Sequence, residues 1–287
     1  MTDAPDTSRI SFTAHYTGHV WRRHGLGDAA LATWQGQVLF GALTPFNKLG
    51  NRLQPGLNLE AMLLQRHRII DALLEQAITG GATQVVEIAA GLSPRGLRFT
   101  RRHPDLHYLE FDLPGMAARK ERLLSRVSDR SPRHLVTSGN ALAADGEQSI
   151  AGRIATLLDP TAPTVVITEG LINYFPVEQA QQIWGHIVAG LKRARWGVYL
   201  SDIAHTPGGF RGAWLIRLFR QVLETTTRGA THFHFDSTDE TRQALLDAGF
   251  NEATIHSPED WRDRLELPPS PPQPLVHVIE ARVSQDG

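Results

Sequence analysis

Apolar and polar residues alternate along the chain in two rhythms, short apolar runs and longer stretches with helical spacing. The apolar runs predict strands at 84–89, 107–111, 133–138, 164–168, 196–202, 252–256 and 275–283. Helical spacing separates the first five of them, at 95–102, 115–126, 148–158 and 176–192. Strands that alternate with helices predict an α/β fold, a Rossmann-like, doubly wound and mostly parallel sheet of about seven strands with helices on both faces.

Two further segments flank the alternating core. Residues 10–56 mix aromatic residues with glycine and proline, so we predict short helical pieces broken by turns, forming an N-terminal helical cap over 1–57. The main domain then covers 58–287 and starts with an amphipathic helix from Asn58 that Gly80 and Gly81 end. An insertion after the fifth strand, at about 206–230, is predicted to cover the carboxyl ends of the strands with the cap.

The stretch from Gln84 to Gly96 combines a strand, a glycine turn and a helix start, which is where α/β folds bind cofactors. A dinucleotide site needs three spaced glycines, but the first is missing here, which disfavours an NAD-dependent oxidoreductase. A hydrolase elbow needs a backbone N–H after Ser93, and Pro94 has none. The third interpretation, a small-residue turn that contacts the methionine part of S-adenosylmethionine, is compatible with this stretch.

Composition narrows the class of partner. The chain has 287 residues, a formal net charge of −1 and no cysteine. Scattered basic residues argue against nucleic-acid and membrane-surface binding, and the missing cysteines exclude disulfides and thiolate chemistry. No apolar run has the roughly 18 residues that a membrane span needs, and His232 with His234 fits an alternating strand better than a metal pair. We therefore expect a soluble cytoplasmic protein with a small-molecule substrate and no metal.

Several motifs, taken together and in this order, resemble the leucine carboxyl methyltransferase family, including its bacterial O-methyltransferases of polyketide biosynthesis. The resemblance covers roughly residues 12–200 and is carried by Thr13–Thr17, Arg66–Asp71, Gln84–Leu92, Arg95, Arg98, Tyr108–Pro114, Lys120 and Thr168–Pro176. It implies S-adenosyl-L-methionine as the cofactor and methyl transfer as the reaction.

The resemblance also implies roles at the methionine end of the cofactor. Arg66 would hold the carboxylate, and Ala89 and Gly91 would form the turn under the methionine portion. Glu169 matches a cofactor contact after the fourth strand, while Glu87 either contacts the ligand or pairs with a neighbouring basic group. Ala89 replaces the usual first glycine of the family, so we expect a slightly reshaped turn.

Ribose and adenine would be bound at the next two strands. Asp112 matches the ribose acid of the family, and Glu110 is the second candidate because alternate strand residues share a face. Asn140 and Ala141 stand where the family has an Asp-Leu pair against adenine. Asparagine reverses part of the donor and acceptor pattern of the acid that it replaces.

The resemblance and the residues together predict an O-methyltransferase acting on a carboxylate or hydroxyl of a small, apolar or aromatic metabolite. A carboxylate acceptor needs no base, whereas a phenol would want one. The catalytic candidates are His205, His15 and Tyr174. A non-catalytic ligand-binding protein on the same fold is the alternative, and the sequence leaves the oligomeric state open.

Overall fold

The computed structural model describes residues 11–205 and 232–284. Within these ranges the chain forms eight α-helices: α1 (Ser11–Arg23), α2 (Trp34–Leu53), α3 (Leu59–Thr79), α4 (Arg95–Arg102), α5 (Pro114–Leu124), α6 (Ile150–Leu157), α7 (Val177–Leu191) and α8 (Thr238–Asp247). The strands are β1 (Gln84–Ile88), β2 (His107–Asp112), β3 (His134–Ser138), β4 (Thr164–Thr168), β5 (Trp196–Ala204), β6 (Glu252–His256) and β7 (Val276–Ser284). The predicted insertion at about 206–230 lies outside the described residues.

One mixed sheet organises these strands, in the order β3-β2-β1-β4-β5-β7-β6. The first five strands run parallel, and β7 pairs antiparallel with both β5 and β6. The chain leaves β1 toward one edge and returns at β4 to build toward the other, so the topological switch point lies between β1 and β4. Ligands of open α/β sheets bind there, at the carboxyl ends of the strands.

Apolar cores cover both faces of the sheet, which confirms the predicted fold class. On one face, residues of β1, β2 and β4 pack with α6, α7 and α8 around Trp184. On the other, Ile69, Leu73 and their neighbours on α3 pack with Phe99 of α4. The central strands β1 and β4 are buried along their whole length, which explains why Val85–Val86 and Val165–Ile167 are consecutive apolar residues instead of alternating with polar ones.

The N-terminal segment differs from its prediction of short broken pieces. Helix α2 runs for 20 residues and continues through Gly36, Gly41 and Pro45. Its inner face packs on Tyr16 and Val20 of α1, and this tertiary packing outweighs the poor helix propensity of those residues. The division into a cap over 1–57 and a main domain over 58–287 stays a prediction. Among the described residues, no helix combines the length and apolar character that crossing a bilayer requires.

Candidate functional site

The turn after β1 lies at the switch point and is bonded to the end of β2. Ala89 and Gly91 both have left-handed backbones, with φ of 53° and 51°. The Gly91 N–H donates to Asp112 Oδ2 over 2.8 Å, and the Leu113 N–H donates to Asp112 Oδ1 over 2.7 Å. Burial raises the pKa of Asp112, although these two N–H donors favour its ionised form. The structure thus brings together the predicted turn and the predicted ribose acid.

Helix α1 lies directly over this turn. A Cβ atom on Gly91 would stand 3.2 Å from the Cβ of Ala14, so the close approach as well as the positive φ favours glycine. Thr13 hydrogen-bonds the side chain of Tyr174, which follows β4, and this bond ties α1 to the second side of the switch point. Helix α1 therefore covers part of the turn, whose residues Ala89 and Gly91 stay partly exposed.

Arg66 of α3 reaches the loop after β4 and the end of β5. Its Nε donates to Glu169 Oε1 over 3.1 Å, and its Nη1 donates to Asp202 Oδ2 over 2.7 Å. The Gly170 N–H donates to Asp202 Oδ1 over 2.5 Å. Gly170 has a φ of 69°, and a Cβ there would stand 2.9 Å from Arg66 Nη2. A glycine at this position is what lets the guanidinium lie across the loop.

Behind Arg66, a second arginine joins three elements of the fold. The Arg95 side chain is fully buried. Its Nε donates to Asp71 over 2.7 Å, its Nη1 to Glu87 over 2.6 Å and its Nη2 to Glu169 over 2.5 Å. We call the connected set the Arg95 cluster, and its members are Arg66, His67, Asp71, Glu87, Arg95, Arg98, Glu169 and Asp202.

The Arg95 cluster has an excess of acid. It holds three arginines and four carboxylates, a net charge of −1 when His67 is neutral. Burial opposes the ionisation of Glu169, but His67, Arg95 and Arg66 outweigh it and hold its pKa well below the usual range. Burial instead raises the pKa of Asp202, because Arg66 compensates it only in part. No role was predicted for Asp202 from the sequence. Its place near the end of a predicted buried strand is the signal that could have identified it.

Two predicted cofactor residues, Glu87 and Glu110, have their carboxylates engaged by buried groups of the protein. Both oxygens of Glu87 are engaged inside the protein, one by Arg95 and the other by the hydroxyl of Tyr108, which donates over 2.6 Å. Glu110 shares the face of Asp112 but lies deeper and is fully buried. It pairs with Lys120 of α5 and accepts from His134 Nε2 of β3 over 2.9 Å. Their carboxylates therefore serve internal ion pairs.

The predicted adenine residues lie in the loop that follows β3. The Asn140 side-chain oxygen accepts the Leu142 N–H over 3.0 Å, and the Ala141 carbonyl accepts from His186 Nδ1 over 3.0 Å. Asn140 is exposed and Ala141 is partly buried. The loop starts one residue after Ser138, which pairs with Asp112 in the sheet, so it lies at the same edge as the turn after β1.

The three predicted catalytic residues differ in their hydrogen-bond partners and in the effect of burial on their pKa values. His205 stays a prediction as a base, and both of its ring nitrogens have partners: its Nδ1 lies 3.0 Å from His277 Nδ1 and its Nε2 lies 2.9 Å from Thr241 Oγ1. Burial also lowers its pKa. His15 lies on α1 with its Nδ1 2.9 Å from Thr33 Oγ1, and burial lowers its pKa to about 4. Tyr174 lies near Arg66, in the segment after β4, and burial raises its pKa.

The side chains at this edge fit the cofactor that the resemblance implies. S-adenosyl-L-methionine carries an amino-acid head, a positive sulfonium and a ribose diol. A guanidinium stands beside two carboxylates at Arg66, so this part of the edge offers both a cation and acids to the amino-acid head. A carboxylate held on a left-handed turn, Asp112, suits a diol. The donor set therefore offers groups for the amino-acid head and for the ribose diol of the cofactor.

Comparison with known proteins gives the same assignment. The family model described as "Leucine carboxyl methyltransferase" matches residues 29–188. A Streptomyces coelicolor protein named "Putative S-adenosyl-L-methionine-dependent methyltransferase" is 35% identical over 112 residues, 39% of this chain and 36% of that protein. Leucine carboxyl methyltransferase 1 of Eremothecium gossypii is 28% identical over 136 residues, 42% of each chain. The matched region thus spans less than half the length of these two relatives.

The fold is shared more widely than the sequence. A solved structure described as "a putative methyltransferase" from Thermobifida fusca superposes with a TM-score of 0.65 at 12% identity, over 99% of this chain and 100% of that one. Identity this low shows the fold alone, whereas the family match covers more than half of the chain. The chain belongs to the leucine carboxyl methyltransferase family, whose cofactor is S-adenosyl-L-methionine.

Proposed function

We propose that this protein is an O-methyltransferase that transfers the methyl group of S-adenosyl-L-methionine to a carboxylate or hydroxyl of a small metabolite. The observation that carries the proposal is the convergence of Arg66, Gly91, Asp112 and Glu169 on one sheet edge, from α3 and from the ends of β1, β2 and β4. These residues lie far apart in sequence, and the carboxyl ends of the parallel strands assemble them.

Each residue at the edge has a distinct task in binding the cofactor. Arg66 binds the carboxylate of the amino-acid head, and Asp112 accepts hydrogen bonds from the ribose hydroxyls. The turn at Ala89 and Gly91 lies under the methionine portion. Asn140 and Ala141 lie where adenine would be bound. When bound, S-adenosyl-L-methionine would supply an electrophilic methyl carbon, to which the acceptor oxygen would bond as the carbon–sulfur bond breaks and S-adenosylhomocysteine leaves.

Positioning is the main contribution that we assign to the protein. Holding two reactants in an aligned geometry can lower a barrier by about 7–11 kcal/mol, provided that water is kept out. Helix α1 covers the glycine turn, and its bond from Thr13 to Tyr174 spans the site. Tyr174 keeps its proton at neutral pH, since burial raises its pKa, so it can donate a hydrogen bond to an acceptor oxygen.

A carboxylate acceptor is favoured over a phenol. A carboxylate is already ionised near neutral pH, whereas a phenol calls for a base worth about 10²- to 10⁴-fold in rate. His205 is occupied on both ring nitrogens, and the low pKa of His15, about 4, makes it a weak base. The name of the relative from Eremothecium gossypii also refers to a carboxyl acceptor.

That the acceptor is apolar or aromatic stays a prediction. The aromatic residues of the N-terminal segment support it less than the sequence suggested. Tyr16 and Trp21 are buried and pack the cap on the main domain, with Trp21 4.6 Å from the ring of His67. Trp34 is 70% exposed on α2 and faces solvent. Phe210 and Trp214, two of the aromatic residues of the insertion, lie outside the described residues. We therefore keep only a small-metabolite acceptor as the core of the proposal.

Calorimetry with S-adenosylhomocysteine tests the cofactor site. We expect the wild type to bind it and Asp112→Asn to bind about 10- to 100-fold more weakly, because a charge-assisted pair to the ribose becomes a neutral one. The matched control is Asp105→Asn, whose side chain is 98% exposed, and its affinity should equal that of the wild type. Equal affinities for all three proteins would refute the ribose assignment.

A second experiment tests methyl transfer itself. Enzyme and S-adenosyl-L-methionine are incubated with a metabolite extract, and mass spectrometry searches for products heavier by one CH₂ unit. Base-labile products would indicate esters and thus a carboxylate acceptor. Cofactor binding without any methylated product would favour the alternative, a non-catalytic cofactor-binding protein.

A further inference from the structure

Helix α2 presents an apolar face to solvent. The large apolar side chains that are exposed among the described residues all lie on this helix, and they are Trp34 (70% exposed), Val38 (59%), Leu49 (43%) and Leu53 (43%). Their spacing of about four residues, or multiples of it, places them along one side of the helix. Exposed apolar side chains that are gathered in one patch mark an interaction surface, whereas scattered ones do not.

Gly41 lies in the middle of this face, and the rest of the described chain does not explain it. A Cβ atom on Gly41 would meet no atom within 4 Å among the described residues, and its φ lies outside the left-handed region. Glycine inside a helix lowers helix stability relative to alanine. Close approach of a second backbone to the exposed face would explain why no side chain is present here.

The spacing along the face is symmetric about the bond between Gly41 and Ala42. Two antiparallel copies of α2 that cross at this bond form three kinds of contact, and the pairs are Trp34 with Leu49, Val38 with Pro45, and Gly41 with Ala42. Larger side chains then meet at both ends. The smallest residues meet at the centre, where the two helix axes come closest.

The charges of α2 favour the same orientation. The helix has no acid, and its two cations, Lys48 and Arg52, lie near its C-terminal end. In an antiparallel pair, these cations lie opposite the uncharged start of the other helix. A parallel pair would instead bring the cations of both copies together, which like charges disfavour.

From this geometry we infer that the exposed face of α2 binds the same face of a second copy, giving a two-fold symmetric dimer. The inference goes beyond the proposed function and does not rest on it. Trp34 alone offers on the order of 150 Å² of exposed surface, and the whole face roughly 500 Å² per copy. The total of about 1,000 Å² equals that of the smaller specific interfaces, so we expect a dissociation constant of about 1–100 μM.

Sedimentation velocity over about 1–300 μM protein tests the dimer. The wild type should shift from 31.8 kDa toward twice that mass as its concentration rises. Gly41→Lys should raise the dissociation constant at least about 30-fold, because two long cationic side chains meet at the centre. Gly185→Lys is the matched control and should leave association unchanged, since it makes the same change on α7, where a Cβ also meets no atom within 4 Å among the described residues.

Cysteine cross-linking tests the orientation, because the wild-type chain has no cysteine. In the antiparallel pair, Ala42→Cys places the two thiols close to the two-fold axis, and mild oxidation should give a covalent dimer. Leu49→Cys should give none, because the two substituted positions then lie about 22 Å apart, beyond the reach of a disulfide.

Three results would overturn the inference. They are a wild type that stays monomeric over the whole range, equal weakening by Gly41→Lys and Gly185→Lys, and cross-linking of Leu49→Cys without cross-linking of Ala42→Cys. Thermal unfolding at low concentration checks the fold of each variant. If Gly41→Lys is unfolded, Trp34→Ala replaces it and should weaken association about 10-fold, because it removes an exposed anchor. Gly41→Lys should bind S-adenosylhomocysteine like the wild type, so failure of the dimer leaves the proposed function intact.

Discussion

Two buried ionic clusters lie on adjacent strands of the same sheet, and they differ in access. The Arg95 cluster joins α3, β1, α4 and the ends of β4 and β5, and its outer members stay partly exposed, with 14% of the Arg66 side chain and 21% of the Arg98 side chain accessible. The second cluster, the Glu110 triad, consists of Glu110, Lys120 and His134, and each of its side chains is at most 2% exposed.

The difference shows that residue chemistry alone does not mark a ligand site. Both clusters contain acids that sequence patterns place near a cofactor, and both satisfy those acids with cations. Of these two clusters, the Arg95 cluster is the one that reaches the carboxyl edge of the sheet, where Arg66 pairs with Glu169 and Asp202. The triad is sealed between β2, β3 and α5, and we expect it to act on stability alone.

The largest effect is expected from Arg95→Met. The change leaves Asp71, Glu87 and Glu169 without their shared guanidinium, and removing one partner of a buried ion pair typically costs about 3–5 kcal/mol. We expect urea unfolding to show a loss at the upper end of that range, together with weaker binding of S-adenosylhomocysteine. Arg102→Met is the control, because its side chain is 57% exposed and pairs with Glu75 at the surface. A loss as small as that of the control would contradict the central role of Arg95.

A smaller and more selective effect is expected from Lys120→Met. Glu110 keeps His134 as a partner, so we expect a loss of about 3 kcal/mol in the free energy of unfolding. The affinity of the folded protein for S-adenosylhomocysteine should change less than about 3-fold, since the triad lies below the site. Urea unfolding and calorimetry on the same preparation check both parts. A large loss of affinity would show that the triad is coupled to Asp112 and would remove the contrast between the two clusters.

The smallest effect on the free energy of unfolding is expected at the turn after β1, and there the substitution should stabilise the protein instead of destabilising it. Ala89 has a φ of 53°, a conformation in which a Cβ atom costs about 1–2 kcal/mol. Glycine would remove this cost, but its greater freedom in the unfolded chain offsets part of the gain in stability. Ala89→Gly should therefore raise the free energy of unfolding by about 0.5–1 kcal/mol. Ala72→Gly, in the middle of α3, serves as the control and should lower it by about 1 kcal/mol. Destabilisation by Ala89→Gly would show that the alanine side chain contributes packing that exceeds its strain.

Much of the core could be predicted because its signals are local. Apolar runs placed β1 to β4 within two residues of their observed ends, and Asn58 with Gly80 marked both ends of α3. Helix α2 was missed, since glycine and proline are strong local breakers and the packing of its inner face on α1 is not visible in a window of sequence.

The candidate site divides in the same way. The family motifs in the sequence selected Arg66, Gly91, Asp112 and Glu169, and the fold brings these four to one edge. The family resemblance ranked Asp112 above Glu110 as the ribose acid, but the strand pattern alone could not, because alternate strand residues share a face and they differ in depth in the sheet. It also offered His205 as a base, and only the structure shows its two ring nitrogens occupied by His277 and Thr241.

By itself the sequence determined the family, the order of strands and helices, and the residue types available to bind a cofactor, because these follow from local periodicity and short motifs. The tertiary structure alone decided which charges are compensated. Glu87 pairs with Arg95 and Glu110 pairs with Lys120, while Arg66 is the cation that pairs with Asp202 among the described residues. Ion pairing depends on distances between elements far apart in the chain, and those distances exist only once the sheet is assembled.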